Sequence, residues 1–128
     1  MNSAEQLDPR VASAFYGAFP SLRPLQAAAI EPILTGHNVI LSSSTGSGKT
    51  EAVMAPLVSR YLRTIQNNAS LTILYVAPTK ALVNDLERRL YPPLQNSLGI
   101  HVGIRHGDRD DLKAGGQVHV LLTTPESL

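Results

Sequence analysis

Asn38–Thr50 reads NVILSSSTGSGKT, an apolar, β-prone segment that runs straight into a glycine-punctuated loop ending in Lys49-Thr50. A polyphosphate needs that order of parts. Glycine lets the backbone come close to the oxygens and take up positive φ. The N–H groups of the loop and of the next helix's first turn then point at the anion. Lys49 reaches for the terminal phosphates, and the Thr50 hydroxyl is the expected ligand of the accompanying magnesium. Ser43 stands where the pattern G-x-x-x-x-G-K-[S/T] has its first glycine, which suits a loop whose first bend does not demand positive φ. The competing reading of the same residues is a Ser/Gly-rich turn that caps a helix and binds nothing.

Composition narrows the field. A chain of 128 residues with 43% hydrophobic content is one domain or part of one, with an ordinary core. A formal charge of +1 gives no field that argues for nucleic acid, so such a partner must be argued from local groups. Without cysteine there is no disulfide framework, thiolate nucleophile or cysteine-based metal site. His37, His101, His106 and His119 show no ligand spacing. No apolar run approaches membrane-spanning length. The first ten residues, MNSAEQLDPR, lack the charged and apolar regions of a signal peptide, so the cytoplasm is the default location.

Outward from the loop, the pattern alternates between helix and strand. Asp8-Pro9 predicts a helix start, with Val11, Ala14, Phe15 and Ala18 on it and a break at Pro20. Arg23–Gly36 predicts a second helix that Pro32 kinks or divides and Gly36 closes. Val39–Leu41 predicts a short strand. From Gly48 a helix is expected to bury Ala52, Val53, Leu57, Tyr61, Leu62 and Ile65, with a bend at Pro56. Leu71–Ala77 predicts a buried strand. Thr79 caps a further helix with Leu82, Val83, Leu86 and Leu90 inward, stopped by Pro92-Pro93. Ile100–Arg105 alternates as a strand, Gly107–Gly116 is a polar loop or short helix, and Val118–Thr123 is a last strand. Such an order predicts βαβ units and a parallel sheet flanked by helices.

Four stretches then act together: Arg23-Pro24-Leu25-Gln26, Ser44-Thr45-Gly46-Ser47-Gly48-Lys49-Thr50, Pro78-Thr79-Lys80-Ala81-Leu82 and Thr123-Thr124-Pro125-Glu126-Ser127-Leu128. Their order resembles the motif series along the first RecA-like domain of superfamily-2 helicases, DEAD/DEAH-box-like proteins with a P-loop NTPase fold. TGSGKTEA and TTPESL resemble the large helicase-related and Ski-type groups more than the strict DEAD-box proteins. The resemblance covers residues 20–128, and it divides the chain into a helical lead-in, 1–22, and a motif-bearing α/β part, 23–128. It implies that Gln26 reads the adenine edge, an amide offering donor and acceptor together. Ser44, Thr45, Gly46, Ser47, Gly48, Lys49 and Thr50 would cradle ATP with Mg2+, Lys49 and Thr50 serving the chemistry. Phe15, Tyr16 and Phe19 fit the family's base-stacking position poorly, so each is expected in the core. Pro78, Thr79 and Lys80 would hold a nucleic-acid backbone without reading bases, and Thr124, Pro125 and Glu126 would touch it next to them. Thr124-Pro125-Glu126 also spells an ordinary helix start, and Gly107, between His106 and Asp108, lies where relatives carry a backbone-contacting loop.

The same resemblance marks what is missing. Hydrolysis in that family needs an Asp-Glu pair on a following strand and arginines from a second RecA-like domain, and the chain has no Asp-Glu dipeptide. The expectation is therefore a C-terminally incomplete piece of an ATP-dependent helicase, inactive alone, with exposed apolar sheet edge and a tendency to self-associate. RNA and DNA are not distinguished. The alternatives are another P-loop ATPase module and a non-catalytic nucleotide-binding or interaction fragment.

Overall fold

The computed structural model describes residues 3–44, 48–67, 70–113 and 115–128. The chain falls into two compact units, Met1–Leu62 and Arg63–Leu128.

In the first unit, helix α1 (Pro9–Tyr16) starts as the Asp8-Pro9 pair predicts, and the Asp8 carboxylate accepts the Arg10 N–H at 2.9 Å. It ends at Gly17, earlier than Pro20. Val11, Phe15 and Tyr16 are buried, whereas Phe19, expected in the core, is 64% exposed because it lies beyond the helix whose face would have turned it inward. Helix α2 (Pro24–Leu34) runs through Pro32 undivided. That proline sits in the last turn, where its missing N–H removes one helical bond without ending the helix. Gly36 takes φ +86°, its N–H bonds the Ile33 carbonyl, and the His37 N–H bonds the Pro32 carbonyl.

Val39–Leu41 is not a ladder strand among the described residues. A strand exists through its neighbours' hydrogen bonds, and no described residue pairs with these three. Ile40 is 95% exposed, while Leu41 packs partly against Ala29, Ile33 and Ala52. Helix α3 (Lys49–Asn67) contains Pro56 without ending there. Its buried stripe is Ala52, Met54, Ala55, Val58, Leu62 and Ile65. Val53, Leu57 and Tyr61 are only half-buried, so the expected face is rotated by part of a turn.

The second unit holds a four-stranded sheet in the order β1-β4-β2-β3. Strands β1 (Ile73–Val76), β2 (Val102–His106) and β4 (Val120–Thr123) are parallel, and β3 (Arg109–Asp110) turns back antiparallel to β2. Residues after Gly107, expected as loop or helix, thus form a hairpin. Strand β4 is buried along its whole length, as a central strand must be, and β2 is buried at all but Arg105 instead of alternating. Strand β1, expected to be buried, has β4 as its one neighbour among the described residues and leaves Leu74 and Val76 48% and 41% exposed.

Helix α4 (Lys80–Tyr91) is capped by Thr79, whose hydroxyl accepts the Leu82 N–H at 3.2 Å. Val83, Leu86 and Leu90 face inward, but Leu82 is 47% exposed. Pro92-Pro93 do not stop the chain's coiling. It widens into a π-type turn over Pro92–Ser97, whose longer-range bonding tolerates absent N–H groups at its start. Thr124-Pro125-Glu126 opens a 3-10 turn (Pro125–Ser127) in which the Thr124 side chain makes no capping bond, unlike the hydroxyl cap expected.

Candidate functional site

Of the loop residues singled out in the sequence, Thr45, Gly46 and Ser47 lie outside the described residues. Gly48 carries the bend into α3 with φ +76°, a conformation only glycine takes without strain. A Cβ there would also meet the Gln26 amide nitrogen, which would have to move aside. Lys49 and Thr50 follow as the first two residues of a 19-residue helix, at its positive end. The Lys49 ammonium donates to the Ser43 carbonyl at 2.8 Å, closing the loop across its own mouth. Ser44 is exposed and Thr50 is buried.

Gln26 is buried and already engaged with the chain. Its carbonyl accepts the Arg23 N–H at 3.0 Å, the reach-back bond of a third helical residue, and its amide N–H donates to the Gly48 carbonyl at 3.4 Å. Among the described residues these bonds use one proton and one lone pair of an amide that offers two of each. Gln26 therefore meets the end of the glycine loop directly, a contact that its separation of 22 residues hides in the sequence.

Tyr16 is buried in the same unit, and its hydroxyl has no hydrogen-bond partner among the described residues. Burial and the negative charge of Glu51 push its ionisation well above the ordinary tyrosine range, so the phenol stays protonated.

In the second unit the predicted contact residues assemble along one edge. Pro78-Thr79-Lys80 follows β1, Thr124-Pro125-Glu126 follows β4, and Gly107 follows β2. Because β4 lies between β1 and β2, the three turns stand side by side at the carboxyl ends of neighbouring parallel strands. Adjacent strands in a sheet are about 5 Å apart, so the three turns are close neighbours. Open α/β sheets take ligands at this edge.

The polar network behind that edge was mostly invisible in the sequence. His106 is buried, its Nδ1 accepts the Asp108 N–H at 3.1 Å, and its Nε2 lies 3.2 Å from the Asn84 amide oxygen. Lys80 Nζ donates to Asp108 at 3.2 Å. Arg109 grips Glu87 at 2.8 and 3.0 Å and Asp111 at 2.9 Å. The hydrogen bonds it donates to Asp111 and then to Glu87 raise its already high pKa. Burial alone would raise the Asp111 carboxyl, yet the guanidinium and the Ile104 N–H hold it below the usual range. Asn84 and Glu87 were missed. Their one signal is the polar stripe Lys80, Asn84, Glu87 at helical spacing.

No group of three or more metal-ligating side chains occurs among the described residues. Nor is any helix among them long and apolar enough to cross a membrane.

The mostly parallel sheet flanked by helices is an α/β arrangement of the RecA-like kind. Residues 23–128 match the DEAD/DEAH box helicase family, and the chain belongs to it. It is 34% identical to the ATP-dependent helicase Lhr-Core of Methanothermobacter thermautotrophicus over 95% of this chain and 16% of the relative. The Lhr-Core helicase of Saccharolobus solfataricus is 36% identical over 94% of this chain and 15% of its own length. The chain thus spans about a sixth of these relatives. Among solved structures, the Mycobacterium smegmatis helicase Lhr bound to ssDNA and AMP-PNP superposes with a TM-score of 0.83 at 31% identity. That match covers 99% of this chain and 18% of the other. The RNA-helicase Prp28 from Chaetomium thermophilum bound to ADP gives 0.78 at 26% identity, over 94% and 31%.

Proposed function

We propose that this chain is the ATP-binding part of an ATP-dependent helicase or translocase, and that it grips a nucleic-acid backbone along the carboxyl edge of its sheet. The observation that carries the reading is the entry to α3: Gly48 at φ +76°, then Lys49 and Thr50 at the positive end of a long helix. Helix N-terminal N–H groups and a lysine are the chemistry that a triphosphate tail selects. Lys49 is within reach of an oxygen, since it bonds the Ser43 carbonyl, and a phosphate oxygen would take that place as a stronger, charged acceptor. Thr50 would hold the Mg2+ that accompanies ATP, and Gln26 would use its remaining donor and acceptor on the adenine. Bound ATP–Mg2+ supplies the energy of hydrolysis. This chain's residues would bind and orient it, and hydrolysis would draw on an Asp-Glu pair, a dipeptide that these 128 residues do not contain.

For nucleic acid, the Lys80 charge, the Thr79 hydroxyl and the backbone around Gly107 and Thr124-Pro125-Glu126 offer phosphate and sugar contacts with no base readout. Binding of either RNA or DNA should weaken steeply with salt. The cytoplasm remains the proposed location.

The test is Lys49→Ala. Loss of a charge-assisted contact should raise the ATP–Mg2+ dissociation constant roughly ten- to a hundredfold. Calorimetry that gives wild type and variant the same affinity would sink the reading.

A further inference from the structure

We propose that Asp108 is an internal stand-in for a phosphate, a counter-ion that occupies Lys80 until a nucleic-acid backbone displaces it and so limits how tightly the edge binds. The proposal rests on the strand-binding reading above and adds a residue and a sign to it.

Three residues of α4, Lys80, Asn84 and Glu87, lie on one stripe of the helix, and the β2–β3 hairpin meets each of them. Arg109 takes Glu87 with two hydrogen bonds, His106 takes Asn84, and Asp108 takes Lys80. The first two ties fix the hairpin. His106 does more, because its Nδ1 accepts the Asp108 backbone N–H, so the ring proton lies on Nε2 and faces Asn84. Both ends of the imidazole are committed, and they hold the Asp108 backbone where its carboxylate reaches Lys80.

Gly107 completes the arrangement. A Cβ there would stand 3.2 Å from the Lys80 ammonium and 3.3 Å from its last methylene, so the lysine stem lies along bare backbone. Unlike the pair Arg109–Glu87, the pair Lys80–Asp108 stands well out in water, its side chains 51% and 74% exposed. An ion pair so placed is weak and exchangeable. A phosphate approaching Lys80 must both replace Asp108 and tolerate its charge nearby. The carboxylate thus opposes binding at this position, while the hairpin keeps the ammonium from wandering.

The experiment measures fluorescence anisotropy of a labelled twenty-nucleotide oligo-dT and of oligo-U, at about 50 mM salt, with the protein expressed from its complete coding sequence. Asp108→Asn keeps the backbone N–H and the size of the side chain. It should tighten binding roughly two- to fivefold. The gain should shrink as salt rises and screening shortens, and it should vanish in the Lys80→Ala background. Asp108→Glu should bind like the parent, and Asp108→Gln like Asp108→Asn. That second pair reads the charge even if the shorter amide disturbs the turn.

The outcomes separate the two ideas. If Lys80→Ala binds both oligonucleotides as the parent does, the strand-binding reading of this turn is wrong. If Lys80→Ala binds more weakly while the two amide variants bind no tighter than their acidic counterparts, this proposal alone is overturned.

Discussion

At the level of single residues, the second unit places one histidine where its charge would be costly. His119 is buried, its Nδ1 accepts the His101 N–H at 3.0 Å, and the two rings stack with centroids 5.4 Å apart. Burial, then the neighbouring His101, lowers its pKa below the ordinary value of 6.5. A depressed folded-state pKa means that the unfolded chain takes up the proton first. The stabilisation is therefore complete above about pH 6.5 and is lost as pH falls below it. Melting temperature should fall between pH 7.5 and 5, and His119→Gln should flatten that slope. An unchanged slope would remove His119 as its source. The sequence showed His119 only as a histidine without ligand spacing, since the residue that stacks on it is 18 positions away.

Elements followed local chemistry where their ends are capped and departed from it where packing decides. Asp8, Thr79 and Gly36 fix helix ends through bonds to residues two to five positions away, which a sequence displays directly. Thr79→Ala should accordingly cost about 1 kcal/mol of stability. For a unit of this size that is a fall of several degrees in melting temperature, and Thr79→Ser should restore it. A melting curve unmoved by the alanine would mean the cap bond contributes nothing. By contrast, the face that α3 buries was misjudged, because Met54, Ala55 and Val58 and the expected set both satisfy helical spacing. The segment at Val39–Leu41 carries the residues of a strand yet has no ladder partner among the described residues, and propensity cannot supply one.

For the molecule as a whole, the sheet's edge sets the main liability. Strand β1 has one neighbour among the described residues, and Leu74 and Val76 project from the same face of it, half-exposed. An open ladder beside apolar side chains invites pairing with another copy. The isolated 128-residue chain should therefore self-associate in a concentration-dependent way, and Leu74→Lys with Val76→Thr should reduce it. Sedimentation velocity showing a monomer at every concentration would contradict this. The expected parallel sheet is present, but its order is not the order of the chain. The insertion of β4 between β1 and β2 is what sets the turns after β1, β4 and β2 in a row.

From the sequence by itself came the α/β class, the helix caps, the glycine-lysine entry to α3 and the identity of each turn that faces the sheet's carboxyl edge. All of these rest on residues within one turn or one loop of each other, where steric and hydrogen-bonding preferences act directly. The tertiary structure alone decided which strand is central, that the residues after Gly107 form a hairpin, that Gln26 bonds Gly48, and that Asp108 faces Lys80. The last two depend on groups brought together across 22 and 28 positions. Their pairing is settled by how the sheet and helices pack, and no local preference encodes it.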